Sequence, residues 1–268
     1  MTPSDPTFDA AGGLGRIGYL GPDFTFSQRA AMAMARGDVL IDFGAIDNAL
    51  DQLDAGRFEA VVLPIDSSAG LVLPTLDALT RYSGRLSVVA DHREPVRFGL
   101  YRRTADAAPL SRVFSHLMSF KQCADWLDGH TEASRTVVAS NGAAFVAVRD
   151  GQEPGVAAIA PAGLTEAGMI EIATDLQGPR VNETCFLRIR PGSTEDAVVG
   201  ALLLFDSEAS AAELRQAMEV DGSKLTGDLR RTRDGRLVME ATFGAPQRSV
   251  GLEARPGVRV LLSTPVGL

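Results

Sequence analysis

Two short runs, FEAVVLPI (58–65) and GVAAIAP (155–161), constrain the fold most strongly. Each is nearly all apolar over a length that suits a strand, as expected for a strand buried on both faces of a sheet. A sheet covered on both faces needs helices between its strands, and the intervening text supplies them. Ile46, Ala49, Leu50 and Leu53 form one apolar stripe on a helix across 45–55. SQRAAMAMARG (27–37) reads as a helix capped by Thr25 or Ser27 and ended by Gly37. Helices are also predicted from Pro74 to Tyr82, over MSFKQCADWLDG (118–129) and over NGAAFVAVRDG (141–151). RIGYLG (16–21), VLIDFG (39–44), LSVVAD (86–91), VRFGLYR (96–102), SRVFSH (111–116), TVVAS (136–140) and VNETCFLRI (181–189) read as strands. The alternation predicts an α/β class with mainly parallel sheets and ligands held at strand ends.

The character changes after PGSTED (191–196), a segment suited to a domain boundary. AVVGALLLFD reads as a strand, SAAELRQAMEV as a helix, the text around Asp234-Gly235 as a hairpin and GVRVLLS as a last strand. Together they predict a small α+β domain over 197–268. A chain of 268 residues with 45% apolar content can bury sizeable cores in both parts. The net charge of −8, with no dense Lys/Arg run, argues against nucleic acid and an anionic membrane as partners. It leaves an anionic small molecule open, because local charge in a cleft can oppose the global sign. Two Cys without a C-x-x-C pair and three scattered His do not make a metal site, and reduced thiols are the plainer reading. The glycines form no dinucleotide fingerprint, so no cofactor is expected. Residues 1–15 read as a disordered tail, not a signal peptide. No apolar run reaches the roughly 18 residues of a membrane span. These features give the expectation of a cytoplasmic protein.

Four polar stretches stand at predicted strand ends: YLGPDFTFSQRAA (19–31), VVLPIDSSAG (61–70), VFSHLMSFKQC (113–123) and NETCF (182–186). In this order and spacing they resemble the prephenate dehydratase family, which includes arogenate dehydratases. The family's counterparts look like LGP-x-G-T-x-S, PIENSSAG, SHPQ…QC and a Thr-Arg-Phe triplet. The resemblance covers about residues 16 to 190. It implies a two-lobed, periplasmic-binding-protein-like catalytic domain with an interlobe cleft. Lobe one would hold 16–88 and 176–190, and lobe two 89–175. It also implies an ACT-like C-terminal domain and a homodimer or homotetramer. The family's Glu-Ser-Arg-Pro signature is missing from this domain, so a relaxed form without phenylalanine control is expected.

Carried over residue by residue, the resemblance makes Thr184, Ser115 and Gln122 the catalytic set. On the same motifs, Asp66, Ser67, Ser68, Phe24, His116 and Met118 are candidate substrate contacts, and Thr25 and Ser27 could hold a carboxylate at the N-terminus of the helix that follows. Several positions depart from the family. Asp66 stands for Asn, Ile65 for Glu, Phe24 for Gly, Leu117 and Met118 for Pro and Gln, and Cys185 for Arg. Prephenate is a dianion that loses carbon dioxide and a ring hydroxyl, so a site must donate to the departing oxygen and hold a carboxylate. Thr184 is the natural donor. Losing an arginine removes a fixed charge and five donors, and Asp66 would repel the substrate unless protonated or paired. These departures predict a drier, less cationic cleft. Four readings follow: dehydration of prephenate or a close relative, decarboxylation without loss of the hydroxyl, action on another small cyclic or enol acid, and ligand binding without catalysis. Cys185 neighbours Thr184 in a strand, so the two should point to opposite faces.

Overall fold

The computed structural model describes residues 15–265 except 69, 83, 180–181, 193–196, 221–224, 233, 249–251 and 253–254. The predicted tail, apart from Gly15, and most of the predicted linker lie outside the described residues. The first lobe contains β1 (Arg16–Tyr19), α1 (Phe26–Met34), β2 (Val39–Asp42), α2 (Ile46–Asp54), β3 (Ala60–Ser67), β4 (Gly70–Leu71), α3 (Leu73–Thr80) and β5 (Leu86–Pro95). The second contains β6 (Phe98–Arg103), β7 (Arg112–Ser115), α4 (Leu117–Gln122), α5 (Ala124–His130), β8 (Ser134–Val137), α6 (Asn141–Asp150), β9 (Val156–Pro161) and β10 (Met169–Ala173). β11 (Glu183–Pro191) returns to the first lobe. The C-terminal unit contains β12 (Ala197–Phe205), α7 (Glu208–Val220), β13 (Leu225–Thr226), β14 (Leu229–Arg231), β15 (Leu237–Arg248) and β16 (Val258–Pro265).

The two apolar runs become the inner strands β3 and β9, each with neighbours on both sides. Alternation along β3 sends Val61 and Leu63 to the core under α2 and α3, and Val62 to the core under α1. In the second lobe, Ala157 and Ile159 of β9 pack with Phe120, Cys123 and Leu127 of the α4–α5 region. Ala158 packs with Ala144 and Val148 of α6 on the other face. Helices therefore cover both sheets on both faces, as the apolar runs require.

The expectation of mainly parallel sheets needs correction. β1 lies parallel to β2 and β3, but β11 runs antiparallel to both β3 and β5. In the second sheet β7 is parallel to β8 and β9, whereas β6 is antiparallel to β9 and β10. The cause is the crossover: β3 and β5 run toward the second lobe and β11 comes back from it. The lobe boundary also moves. β5 pairs with β11 as far as Pro95, so the outgoing crossing falls at Val96 and Arg97 and not after residue 88. The helix predicted over 118–129 divides at Cys123 (φ −101°, ψ 10°), which turns Phe120 and Leu127 into one core.

In the C-terminal unit β12, β15 and β16 are antiparallel, and α7 covers one face through Leu214 and Met218. This is the expected α+β arrangement. Thr232 N donates to Arg236 O (2.8 Å), closing the predicted hairpin around Asp234-Gly235. Leu202 and Leu204, on the other face of β12, join the first lobe's core. β16 meets β5 at Ser263 and Ser87, whose hydroxyls lie 3.2 Å apart, so one sheet runs through both units.

Candidate active site

The cleft forms where β3 and β11 end against the second lobe. Thr184 pairs with Ser67 on one side and Glu94 on the other, so all three side chains leave the same face of the sheet. Ser67 ends β3 and Ser68 follows it, and the Glu183 N–H donates to Ser68 Oγ (3.3 Å). The second lobe brings His116, Met118, Ser119 and Gln122 from around α4, and Asn141 from the start of α6. Phe26, Val96 and Phe98 supply apolar wall. The open cleft holds a volume of about 470 Å3, within the usual range for a small-molecule site.

Neutral donors dominate this wall. Asn182 Nδ2 donates to Gln122 Oε1 (3.1 Å), linking the returning strand to the second lobe and leaving the Gln122 amide nitrogen for a ligand. His116 Nδ1 accepts from the Met118 N–H (3.3 Å), so the neutral ring carries its proton on Nε2. Among the described residues the Thr184 hydroxyl has no hydrogen-bond partner, and it lines the cavity. Among the described residues no Lys, Arg, Asp or Glu lines the cavity, and His116 is the one lining side chain among them able to carry positive charge.

Thr184, Gln122, Ser67, Ser68, His116 and Met118 are brought together, and the other candidates are not. Ser115 is fully buried behind the wall. It accepts from Asn141 Nδ2 (3.2 Å), which also donates to Ile159 O (2.9 Å), while Ser119 Oγ donates to Asn141 Oδ1 (3.0 Å). Ser115 is therefore a positioning residue for Asn141. Ser115→Ala should lower stability by about 1–2 kcal/mol, as urea unfolding would measure, because it removes an acceptor from a buried amide. Gln122 ends α4, inside the span predicted as one helix.

Thr25 caps α1, accepting from the Gln28 N–H (3.2 Å) and donating to Pro22 O (3.0 Å). Ser27 is buried within α1. Neither lines the cavity. Phe24 also turns away, because its backbone is left-handed (φ 63°) and its ring crosses to the second lobe. There it meets Phe145 at 4.6 Å between centroids, with the Arg149 guanidinium 5.4 Å from the ring centre. Close approach has a backbone cause at Gly142, where a Cβ would stand 2.1 Å from Asp23 O. Asp66 faces the opposite side of the sheet and pairs with Arg230 of the C-terminal unit (3.1 Å). The repulsion expected of it does not arise in the cleft. Asp66→Asn should leave KM for an anionic substrate within about twofold and cost under about 1 kcal/mol, since the pair is partly exposed. Steady-state kinetics and urea unfolding check the two parts.

Cys185 points away from Thr184, as strand alternation requires, and burial pushes its thiol above the usual range. Sequence reasoning missed Phe26, Ser119, Asn141, Gln177 and Asn182 as cavity residues. Asn141 carried a signal, since it opens a helix directly after the predicted strand TVVAS. A buried carboxylate, Glu94, was also missed. It meets Arg29 Nε and His92 Nε2, each at 3.0 Å, and Arg29 Nη1 donates across the lobes to Ala162 O (2.8 Å).

A family model described as prephenate dehydratase matches residues 17–194. A prephenate dehydratase of Amycolatopsis methanolica is 32% identical over 225 residues, covering 80% of this chain and 72% of that protein. A bifunctional chorismate mutase/prephenate dehydratase of Stutzerimonas stutzeri is 33% identical over 188 residues, 67% of this chain; the match spans about half (49%) of that relative. Among solved structures, prephenate dehydratase from Arthrobacter aurescens in complex with L-Phe has a TM-score of 0.71 at 23% identity, covering 93% of this chain and 90% of that one. GqqA, described as a novel type of quorum-quenching acylase, reaches 0.73 at 18% identity, with 93% and 97% covered. At such identities the structures establish the shared fold alone. The family model covers well over half of the chain, and the sequence relative agrees with it: this chain belongs to the prephenate dehydratase family.

Proposed function

We propose that this chain converts prephenate to phenylpyruvate, with carbon dioxide and water as the other products. The observation that carries the reading is the unpartnered Thr184 hydroxyl, facing a cavity whose other wall offers Gln122 and His116. As the ring carboxylate leaves as carbon dioxide, its bonding pair becomes part of the aromatic ring and the C–O bond at the opposite carbon breaks. Thr184 donates to that departing oxygen, which leaves as hydroxide and takes a proton to become water. A threonine hydroxyl is too weak an acid for full transfer, so it orients and stabilises the developing charge. Gln122 Nε2, Ser68 Oγ and His116 Nε2 hold the carboxylates. The reading carries with it a small anionic ring substrate, no cofactor, a homodimer or homotetramer, and a cytoplasmic place of work. No helix among the described residues is long and apolar enough to cross a membrane.

A second reading draws support from a wall whose described residues include no Lys or Arg. Weak stabilisation of the departing hydroxide favours decarboxylation with the hydroxyl retained. One experiment separates the two: incubation with prephenate at neutral pH, following ultraviolet absorbance and product mass beside an enzyme-free control. Phenylpyruvate formed only with protein supports dehydration. Loss of carbon dioxide alone supports the second reading, and no turnover overturns both.

A further inference from the structure

Helix α1 of the first lobe meets the second lobe through two side chains one turn apart. Phe26 sets its ring edge-on to Phe98, 5.4 Å between centroids, and both residues line the cleft. Arg29 Nη1 donates to Ala162 O (2.8 Å), just beyond the end of β9. What holds Arg29 there is Glu94, which is 4% exposed and lies on β5 close to the outgoing crossing. Arg29 Nε stands 3.0 Å from Glu94 Oε1, and His92 Nε2 stands 3.0 Å from Oε2. Among the described residues Oε1 accepts no hydrogen bond. The guanidinium thus neutralises the carboxylate while its Nη1 donor is aimed at the other lobe. A buried carboxylate stripped of its cation is strongly unfavourable, so Glu94 keeps Arg29 at the lobe boundary. Glu94 is also the register partner of Thr184 across β5 and β11. The groups that face each other in the cleft come from both sides of this boundary. Thr184 and Ser68 belong to the first lobe, and Gln122 and His116 to the second.

We propose that Arg29, anchored by Glu94, is a positioning residue that clasps the two lobes and so holds Thr184 opposite Gln122 and His116. Glu94 acts through Arg29 and touches no substrate. Without the clasp, part of each binding event goes into closing the lobes. Apparent affinity then falls with the fraction of protein that is closed, while the closed complex reacts as before. The signature is a change in KM at constant kcat. This kinetic signature rests on the turnover of prephenate proposed above, whereas the clasp itself does not.

Arg29→Lys separates the clasp from simple charge neutralisation. Its ammonium keeps the charge beside Glu94 but lacks the planar fork that reaches Oε1 and Ala162 O together. Tm should stay within about 2 °C of the parent. KM should rise about tenfold with kcat within about twofold. The radius of gyration of the ligand-free protein should grow by about 0.5 Å in solution scattering. Arg29→Met combined with Glu94→Gln removes the pair without stranding a buried charge, and should match the lysine variant in KM and radius. The scattering needs no substrate, so it decides the clasp even if prephenate is not turned over. An unchanged radius in both variants overturns the proposal. So does an unchanged KM in a protein that turns prephenate over, including the case where only Tm falls, which would make the pair a stabilising contact alone.

Discussion

Thr184→Val should lower kcat for phenylpyruvate formation by about 100-fold or more, about 2.7 kcal/mol of lost transition-state stabilisation. KM should stay within about threefold, because the hydroxyl interacts chiefly with charge that develops as the C–O bond breaks. Valine keeps the shape and the strand preference of threonine, so β11 and its pairing with Ser67 and Glu94 should survive. Thr184→Ser keeps the donor and should retain activity within about tenfold, its loss reflecting a less restricted rotamer. Parallel steady-state measurements on both variants, with unfolding curves, make the test. A valine variant as active as the serine variant would remove Thr184 from the reaction.

Phe24 should show an inverted order of substitution. Phe24→Ala is expected to cost about 2–3 kcal/mol, from lost ring burial against Phe145 and Tyr101. Phe24→Gly loses the same ring but relieves the left-handed backbone, worth about 1 kcal/mol. Glycine should therefore be the less damaging change by about 1 kcal/mol, where in helices and strands it is usually the worse one. Urea unfolding of the two variants measures the difference. The ring also ties the lobes together, alongside Arg29 reaching Ala162 O. Both variants should thus show a larger radius of gyration in solution scattering without ligand. An unchanged radius would mean that the remaining contacts hold the lobes unaided.

The position illustrates how far a sequence can be read. The family-like text around Gly21 to Ser27 identified the loop and the substitution of Phe for Gly. It could not tell which way the ring would go. A left-handed residue at that point turns the side chain off the cleft, and the hydrophobic site that receives it is built by residues more than 70 positions away. Asp66 and Cys185 are similar cases. The alternation of Cys185 with Thr184 was legible from strand periodicity, whereas Asp66 and Ser67 lay beyond the strand predicted over 58–65 and were both expected in the cleft. What covers the far face depends on β12, β15 and β16 packing there. The ion pair of Asp66 with Arg230 links residues 164 positions apart, with nothing in either local sequence to announce it.

Local chemistry, by itself, determined most strands and helices, the α/β class and the separate α+β unit, while the two lobes and six of the cleft residues came from the resemblance of four short motifs to a family. Apolar runs, helix caps and strand alternation act over a few residues, and sequence records them directly. Only the tertiary structure decided that Ser115 supports Asn141, that Phe24 pins the lobes and that β11 runs against its neighbours. It alone placed the substituted pair, Asp66 and Cys185, on a second cavity and not in the cleft. Those outcomes are set by which distant surfaces meet, and the free energy of burying them depends on the whole packed chain.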